Sequence, residues 1–262
     1  MKKNVDIIIG VIASRGSLYD NLVKEYWQHI INYSNKNYND KIKIYLMYGK
    51  EFDKNYFNYL NEKDLFVCDY EDSLRPGILK KTVDFMKYID ENYNYKQLFR
   101  TNLSSFLVLD NMLEVFKTLD ISNNYAGPYV DMKYIAKNHP LQKYVNYFIS
   151  GSGIWFSQDI VKYILFNKNN INYNIHDDVE IAKILQNKTK GISLPRLDIL
   201  KENSWVSGEK TIYLNKKSNL NNIFNKSILI INRDKYYHIR IKAYNLNQDL
   251  FLFKKFTKIF YL

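Results

Sequence analysis

The chain has one cysteine in 262 residues, Cys68, so it can form no internal disulfide. A reducing compartment is the natural setting for such a chain. Cys68 closes the apolar run Leu65-Phe66-Val67 and is expected to be a small core residue rather than a nucleophile. Four prolines and nine glycines are too few for a disordered or collagen-like polymer, and an apolar share of 46% is ordinary for a globular protein. No apolar stretch approaches the roughly 20 residues that a membrane span needs. The segment Val5–Ala13 is apolar but carries Asp6 and runs into Ser14-Arg15-Gly16, which marks a first core strand rather than a secretory leader. A soluble, cytoplasmic protein is expected.

Several chemistries are missing as well. No Walker-type glycine loop occurs, and Gly10 alone makes no dinucleotide fingerprint. His29, His139, His176 and His238 lack zinc spacing and cysteine partners. No G-x-S-x-G elbow occurs; Gly151-Ser152-Gly153 has neither the strand-to-helix spacing nor a suitable histidine.

What is present is an alternation of elements. Val5–Ala13, Ile42–Tyr48, Leu65–Cys68 and Gln97–Arg100 read as buried strands. Helical patterns fill Leu18–Ile31, the stretch from Pro76 to about Asn92, and the stretch that Asp110 would cap and that ends near Leu119. This order implies an α/β fold, Rossmann-like, with a mostly parallel sheet and helices on both faces. After residue 120 the pattern becomes irregular and mixed. Short strands are expected at Ile154–Phe156, Thr211–Leu214, Ile228–Ile231 and Tyr236–Ile239. One domain is expected over 1–262, with a Rossmann-like half over 1–120, a mixed part over 121–205 and a basic extension over 206–262. That extension carries +8 of the net charge of +11. It would suit a phosphate-bearing substrate, an anionic membrane or a plain solvated face. It has no nucleic-acid recognition motif, and no nucleic-acid partner is expected.

Ligands of open α/β sheets bind beyond the carboxyl ends of the strands. Those ends here include Ser14-Arg15-Gly16, Asp69–Asp72 and Thr101–Ser105. Arg100, at such an edge, would face a phosphate or an acid, whereas Lys80 is equally compatible with plain solvent exposure. Ser150-Gly151-Ser152-Gly153 is either a tight connection or a turn that lets a ligand approach the backbone. Trp155 beside it is either core or a platform for a pyranose. Asp177 and Asp178 open a helix: capping explains one of them, and the other suits a base that deprotonates a hydroxyl. The helix dipole would lower that carboxylate's pKa.

Taken in order, these segments resemble the GT-A-fold glycosyltransferases, nearest the β-1,3-galactosyltransferase/Fringe superfamily and its bacterial relatives, over roughly residues 5–190. Ile7–Trp27 resembles the first strand, nucleotide loop and helix. Asp72-Ser73-Leu74 with Lys80 resembles an Asp-Ser-Tyr…Lys segment. Arg100–Leu107 resembles Lys-Thr-Asp-Asp-Asp-Val-Phe-Val, Ser150–Ser157 resembles Ser-Gly-Gly-Gly-Tyr-Val-Leu-Ser, and Asp177-Asp178-Val179 resembles Glu/Asp-Asp-Val. The resemblance implies a hexosyltransferase that moves a hexose or N-acetylhexosamine from a nucleotide sugar, UDP foremost, to a glycan or glycoconjugate hydroxyl with inversion. It makes Asp178 the base. It lays the nucleotide across Ala13, Ser14, Arg15 and Asp72, with Lys80 and Arg100 beside it. Asn102 and Ser104 would meet the diphosphate, and Gly151, Ser152, Gly153 and Trp155 the sugars.

The family's acidic triplet, which holds Mn2+ or Mg2+, is replaced by Asn102-Leu103-Ser104, poor ligands for a hard cation. Either a metal is held by other residues or, as in the core 2 N-acetylglucosaminyltransferases that this chain also resembles, no cofactor is used. His238, Arg240 and Lys242 would then close over the diphosphate. A degenerate module that binds sugar nucleotide or glycan without turnover is the alternative. The stretch Leu250–Leu262 interleaves apolar and lysine residues, and fits either a peripheral membrane contact or a docked terminal helix.

Overall fold

The computed structural model describes residues 2–134, 140–202, 209–215, 218–243 and 245–262. His139 and the expected boundary at Val206 lie outside the described residues. The chain opens with β1 (Lys3–Ile12) and a continuous helical stretch. That stretch is α1 (Ser17–Leu22), a π-helical turn over Val23–Trp27, and α2 (Gln28–Asn37). Next come β2 (Ile42–Tyr48), β3 (Leu65–Val67), α3 (Gly77–Asn92), β4 (Tyr93–Asn102), β5 (Ser105–Leu107) and α4 (Leu109–Thr118). The middle of the chain forms β6 (Tyr125–Gly127), β7 (Tyr129–Asp131), β8 (Tyr147–Ile149), β9 (Gly153–Ser157), α5 (Gln158–Phe166) and α6 (Asp177–Leu185). The last elements are β10 (Ile192–Ser193), β11 (Leu197–Lys201), β12 (Lys210–Leu214), α7 (Leu220–Asp234), β13 (His238–Lys242) and α8 (Leu246–Phe260).

The fold is α/β with a mostly parallel, mixed sheet. Among the described residues its order is β10-β6-β9-β4-β1-β2-β3. The pairs β1–β2, β1–β4, β2–β3 and β6–β10 are parallel, while β9 runs antiparallel between β4 and β6. From β1 the chain steps outward to β2 and β3, then returns through α3 to β4 on the other side of β1. That reversal opens a crevice at the carboxyl ends of β1 and β4, the place where a ligand can enter such a sheet. Ile7, Ile9 and Val11 of β1 belong to one buried cluster and Ile8 and Ile12 to a second, as alternation across a strand covered on both faces requires.

A second sheet, ordered β12-β11-β13-β5, grows out of the first. β5 leaves β4 through a two-residue turn, and β13 pairs antiparallel with it, setting Arg240 opposite Ser105 and His238 opposite Leu107. The far end of the chain is thereby fixed beside the crevice. From the other side, Trp27 Nε1 donates to Leu103 O (3.2 Å) and Tyr26 Oη accepts from Leu107 N–H (2.7 Å).

Three expectations fail here for local reasons. Ile228–Ile231 is not a strand but lies inside α7: Phe224, Ser227 and Ile231 are buried at helical spacing, and Leu229 on the opposite face is 71% exposed. The strand expected at Tyr236–Ile239 begins two residues later, because the carbonyls of Tyr236 and Tyr237 accept from Asn111 Nδ2 and Val108 N–H around the start of α4. Asp110 caps nothing; it sits in the first turn of α4 and accepts from Tyr38 Oη.

The C-terminal helix is a docked one. Leu252, Phe253 and Phe256 of α8 are buried in the first cluster, each side chain contributing about 1.5–3 kcal/mol on full burial. Lys254, Lys255, Lys258 and Ile259 face outward. Among the described residues no helix is long and apolar enough to cross a membrane. Cys68 is a buried, unpaired thiol whose pKa burial pushes up.

Candidate active site

The start of α6 brings two carboxylates against the Ser150–Gly153 turn. Neither aspartate is the helix cap: His176 holds that position with no side-chain bond, and Asp177 and Asp178 occupy the first turn. They play different parts. Asp177 is buried and forms an ion pair with Arg100, itself 3% exposed. Arg100 also donates to Gly151 O. Arg100 thus faces an acid, as a cation at that edge was expected to face an acid or a phosphate, and it is a strut beneath the turn.

Asp178 is half-buried and takes two backbone donors, Gly151 N–H on Oδ2 and Val179 N–H on Oδ1, both at 3.0 Å. Burial and the neighbouring Asp177 carboxylate push its pKa up to about 7, against the opposing pull of Gly151 N–H and Arg100. The helix dipole alone would have lowered it; desolvation outweighs the dipole. A carboxylate poised near neutrality is suited to taking a proton at physiological pH.

Gly151 is required by crowding. A Cβ there would lie 2.6 Å from Arg100 Nη1 and 3.3 Å from the Oδ2 atoms of both aspartates. Gly153 serves a different neighbour, since a Cβ would overlap the His238 ring. Ser152 ties the turn to the second sheet. Its carbonyl accepts from Thr101 Oγ1 (2.5 Å) and Ser105 Oγ (3.2 Å), and its hydroxyl accepts from Arg196. Arg196 is fully buried on a two-toothed pair with Asp198, at 2.5 and 2.9 Å. His238 Nε2 meets Ser105 Oγ at 2.9 Å. Burial and the adjacent Arg196 and Arg240 hold its pKa well below the ordinary value, so it is neutral. It therefore braces the turn and does not act as the cation expected to close over a diphosphate.

Next to this network, in the β1/β4 crevice, is a cavity of about 490 Å3. Ser14, Asn102, Ser104, Arg240, Lys242 and Asp249 are among the residues lining it. Arg240 reaches it from β13 with its Nε buried and without a hydrogen-bond partner among the described residues. Burial and Arg196 oppose its charge, while Asp198 and Asp178 lie near enough to favour it. Burial and Arg240 likewise lower the pKa of Lys242. Two cations crowded together in a cleft favour an anion between them. Asp249 has its own task, accepting from Ala243 N–H (2.6 Å), and burial pushes its pKa up to about 6.

The Asn102-Leu103-Ser104 turn closes on itself. Asn102 Oδ1 accepts from Ser104 N–H (3.2 Å), Ser104 Oγ (2.7 Å) and Ser105 Oγ (3.4 Å). Those donors leave no carboxylate in the turn, and among the described residues no group of three or more His, Cys, Asp or Glu is arranged to hold a metal ion. The donor set does not fit Mn2+ or Mg2+.

Other expected residues fall elsewhere. Trp155 is fully buried against Phe99 and donates through Nε1 to Tyr237 Oη (3.0 Å), so it is core and no sugar platform. Lys80 lies over the rings of Tyr70 (4.9 Å) and Tyr173 (5.9 Å). Its neighbour Lys81 is the buried lysine, paired with Asp72 and donating to Ala13 O (2.8 Å). Asp72 also accepts from Gly49 N–H (3.1 Å) and has one carboxylate oxygen buried without a partner among the described residues. Arg15 is exposed, 3.8 Å from Asp53 and stacked on Tyr56. Arg196, Asp198, Lys81 and Asp249 went unread in the sequence. The first two gave no signal, since charges alternating with Leu197 and Ile199 read as the solvent face of a half-buried strand.

No protein-family model matches the chain, and no curated protein sequence matches it. Among solved structures, the galactosyltransferase LgtC in complex with donor and acceptor sugar analogs is similar at 11% identity and a TM-score of 0.47, over 74% of this chain and 75% of that one. An active-site mutant of LgtC is similar at 10% identity and a TM-score of 0.46, over 94% of each chain. A mutant of Drosophila β-1,4-galactosyltransferase 7, complexed with manganese, UDP-Gal and xylobiose, is similar at 11% identity and a TM-score of 0.42, over 79% of this chain and 69% of that one. Likenesses this loose say nothing of what this chain binds or transfers.

Proposed function

We propose that the chain is an inverting glycosyltransferase of the GT-A kind, moving a hexose or N-acetylhexosamine from a nucleotide sugar, UDP foremost, to a glycan hydroxyl. The observation that carries this reading is Asp178: a half-buried carboxylate with a pKa near 7, fixed by Gly151 N–H beside a cationic crevice. The chain would work as one unit. The nucleotide would lie over the carboxyl ends of β1 and β4, near Ser14 and the Asp72 loop, with its diphosphate between Asn102, Ser104, Arg240 and Lys242. The acceptor would approach from the side of Gly151.

In this reading Asp178 takes the proton of the acceptor hydroxyl as that oxygen attacks the anomeric carbon. The bond from that carbon to the diphosphate oxygen breaks, and the nucleoside diphosphate leaves with the electron pair. Arg240 and Lys242 stabilise the developing charge as a metal does elsewhere. Arginine is suited to this because it grips phosphate oxygens with two parallel donors. Asp178 then returns the proton to solvent, as a pKa near 7 allows.

The test is release of nucleoside diphosphate from UDP-, GDP-, CDP- and TDP-sugars, each with EDTA and with Mn2+. One donor should turn over and survive EDTA, and Asp178→Asn should lose transfer while its donor affinity stays within a fewfold. Unchanged turnover in Asp178→Asn would remove the base. Nucleotide affinity with no turnover on any acceptor would make the chain a binding module.

A further inference from the structure

A second opening, about 450 Å3, lies outside the crevice on the β7–β8 hairpin. The hairpin pairs Tyr129 with Ile149, Val130 with Phe148 and Asp131 with Tyr147. Alternation sends Val130 and Phe148 into the core, where both are buried. Tyr129, Asp131 and Tyr147 share the other face with Ile149, which is fully buried, so that the opening lies over its outer, tyrosine end. The two tyrosine rings stack there at 5.0 Å with an interplanar angle of 18°, and both stay partly exposed. Tyr147 is fixed in place, its hydroxyl accepting from Gly191 N–H at 3.1 Å. Asp131, held ionised by Lys133, and the amides Gln142 and Asn146 complete the rim.

Flat apolar ring faces bordered by a carboxylate and side-chain amides suit one ligand chemistry above others, a sugar ring with its apolar C–H face and its hydroxyl edge. The position points the same way. β8 runs from Tyr147 straight into Ser150-Gly151, and α6, which carries Asp178, packs on β8. Gly151 lies four residue steps from Tyr147, a reach of at most about 14 Å. The tyrosine pair thus lies within the span of a short oligosaccharide whose terminal hydroxyl is at Asp178.

We infer that Tyr129 and Tyr147 form a distal subsite for the acceptor, which is an oligosaccharide rather than a single sugar; this rests on the transferase reading of Asp178. The subsite binds inner rings, and so it sets acceptor length and leaves the donor untouched.

The experiment is saturation-transfer NMR on the full chain without donor, with methyl β-galactoside, lactose, chitobiose and lacto-N-neotetraose as probes. Transfer from aromatic protons should be strongest for the longer probes. Tyr129→Ala should weaken their binding about tenfold, and Tyr129→Phe should keep it, which separates ring stacking from misfolding. UDP-sugar affinity should not move in either variant. Absence of transfer to any di- or tetrasaccharide, or equal binding by Tyr129→Ala, would overturn the subsite. Saccharide binding that depends on Tyr129 in a chain with no nucleotide-sugar affinity would instead retain the subsite and refute the transferase.

Discussion

Two turns meet at the end of β4, and they treat polarity in opposite ways. The Asn102–Ser104 turn keeps its side-chain polarity local: one amide oxygen collects a backbone N–H and two hydroxyls from the next three residues, while the Leu103 and Ser104 carbonyls accept from Trp27 Nε1 and Ile241 N–H. The Ser150–Gly153 turn turns its groups outward, giving Gly151 N–H to Asp178, Gly151 O to Arg100 and Ser152 Oγ to Arg196. An amide oxygen already shared among three donors leaves little affinity for a cation. A turn fastened to three charged partners transmits its geometry to a carboxylate whose protonation is nearly balanced. In the proposed reaction the chemistry lies on the Gly151 side, and the Asn102 side contributes shape and anion contact.

Breaking the Gly151 side should cost most. Asp178→Asn should lower the turnover number by roughly 10²–10⁴, the range for removing a general base, read as product formed under saturating donor and acceptor. Gly151→Ala should follow at about 10–100-fold. Its methyl would force Arg100 and both aspartates apart, and a displacement near 1 Å at such a site costs about that much. Its donor affinity should hold, because the crevice is lined by other residues.

The same carboxylate gives the comparison a pH signature. Transfer should fall on the acid side with an apparent pKa near 7, as Asp178 takes up its proton. Stability should move oppositely. Folding raises this carboxylate's pKa from the ordinary 3.8 to about 7, so the folded state binds the proton more tightly than the unfolded chain does. Its contribution is therefore fully present below about pH 4 and is lost as the pH rises through 7. Asp178→Asn should thus melt higher than the native chain at pH 8, and the gap should narrow at pH 5. Calorimetry at the two values checks it; an equal gap at both would mean that Asp178 is not strained by burial. The inactive variant being the more stable one is the expected mark of a site organised for chemistry.

Arg240→Met sharpens the other half. Removing a crevice cation should cut kcat/KM for the donor about 30–100-fold, with added Mn2+ giving no rescue, while acceptor KM changes little. Rescue by metal would mean that ligands exist outside the Asn102 turn.

The sequence made the framework legible and the inner contacts less so. β2 falls at Ile42–Tyr48 as the apolar run implies, and α6 opens at Asp177-Asp178. Strong periodic or continuous apolar patterns decide such elements locally. Ile228–Ile231 misled because four apolar residues in a row fit a strand as well as a helix; only the docking of α7 on Phe256 decides. Lys80 and Lys81 differ by one helical step, about a third of a turn, and only the packed helix reveals which one enters the core. Trp155 was ambiguous because a strand between two others has both faces covered, so nothing nearby in sequence says which way the indole points. Arg196 and Asp198 were missed for a related reason: β11 sits between β12 and β13, so both its edges are paired only in the folded chain and nothing nearby in sequence says that its charges are buried.

The smallest expected effect is also the most discriminating. Asn102→Ala removes an oxygen that serves its own turn, so the loss should be mainly structural, about 0.5–1.5 kcal/mol for the hydrogen bonds forgone. Turnover should stay within about threefold, and the response to EDTA and Mn2+ should match that of the native chain. Were Asn102 a metal ligand, its loss would instead leave activity dependent on added cation, because a ligand set reduced by one binds a hard ion far more weakly. A small drop in melting temperature with an unaltered metal response would therefore identify this turn as a self-closed loop beside the diphosphate, and would leave neutralisation of that diphosphate to β13.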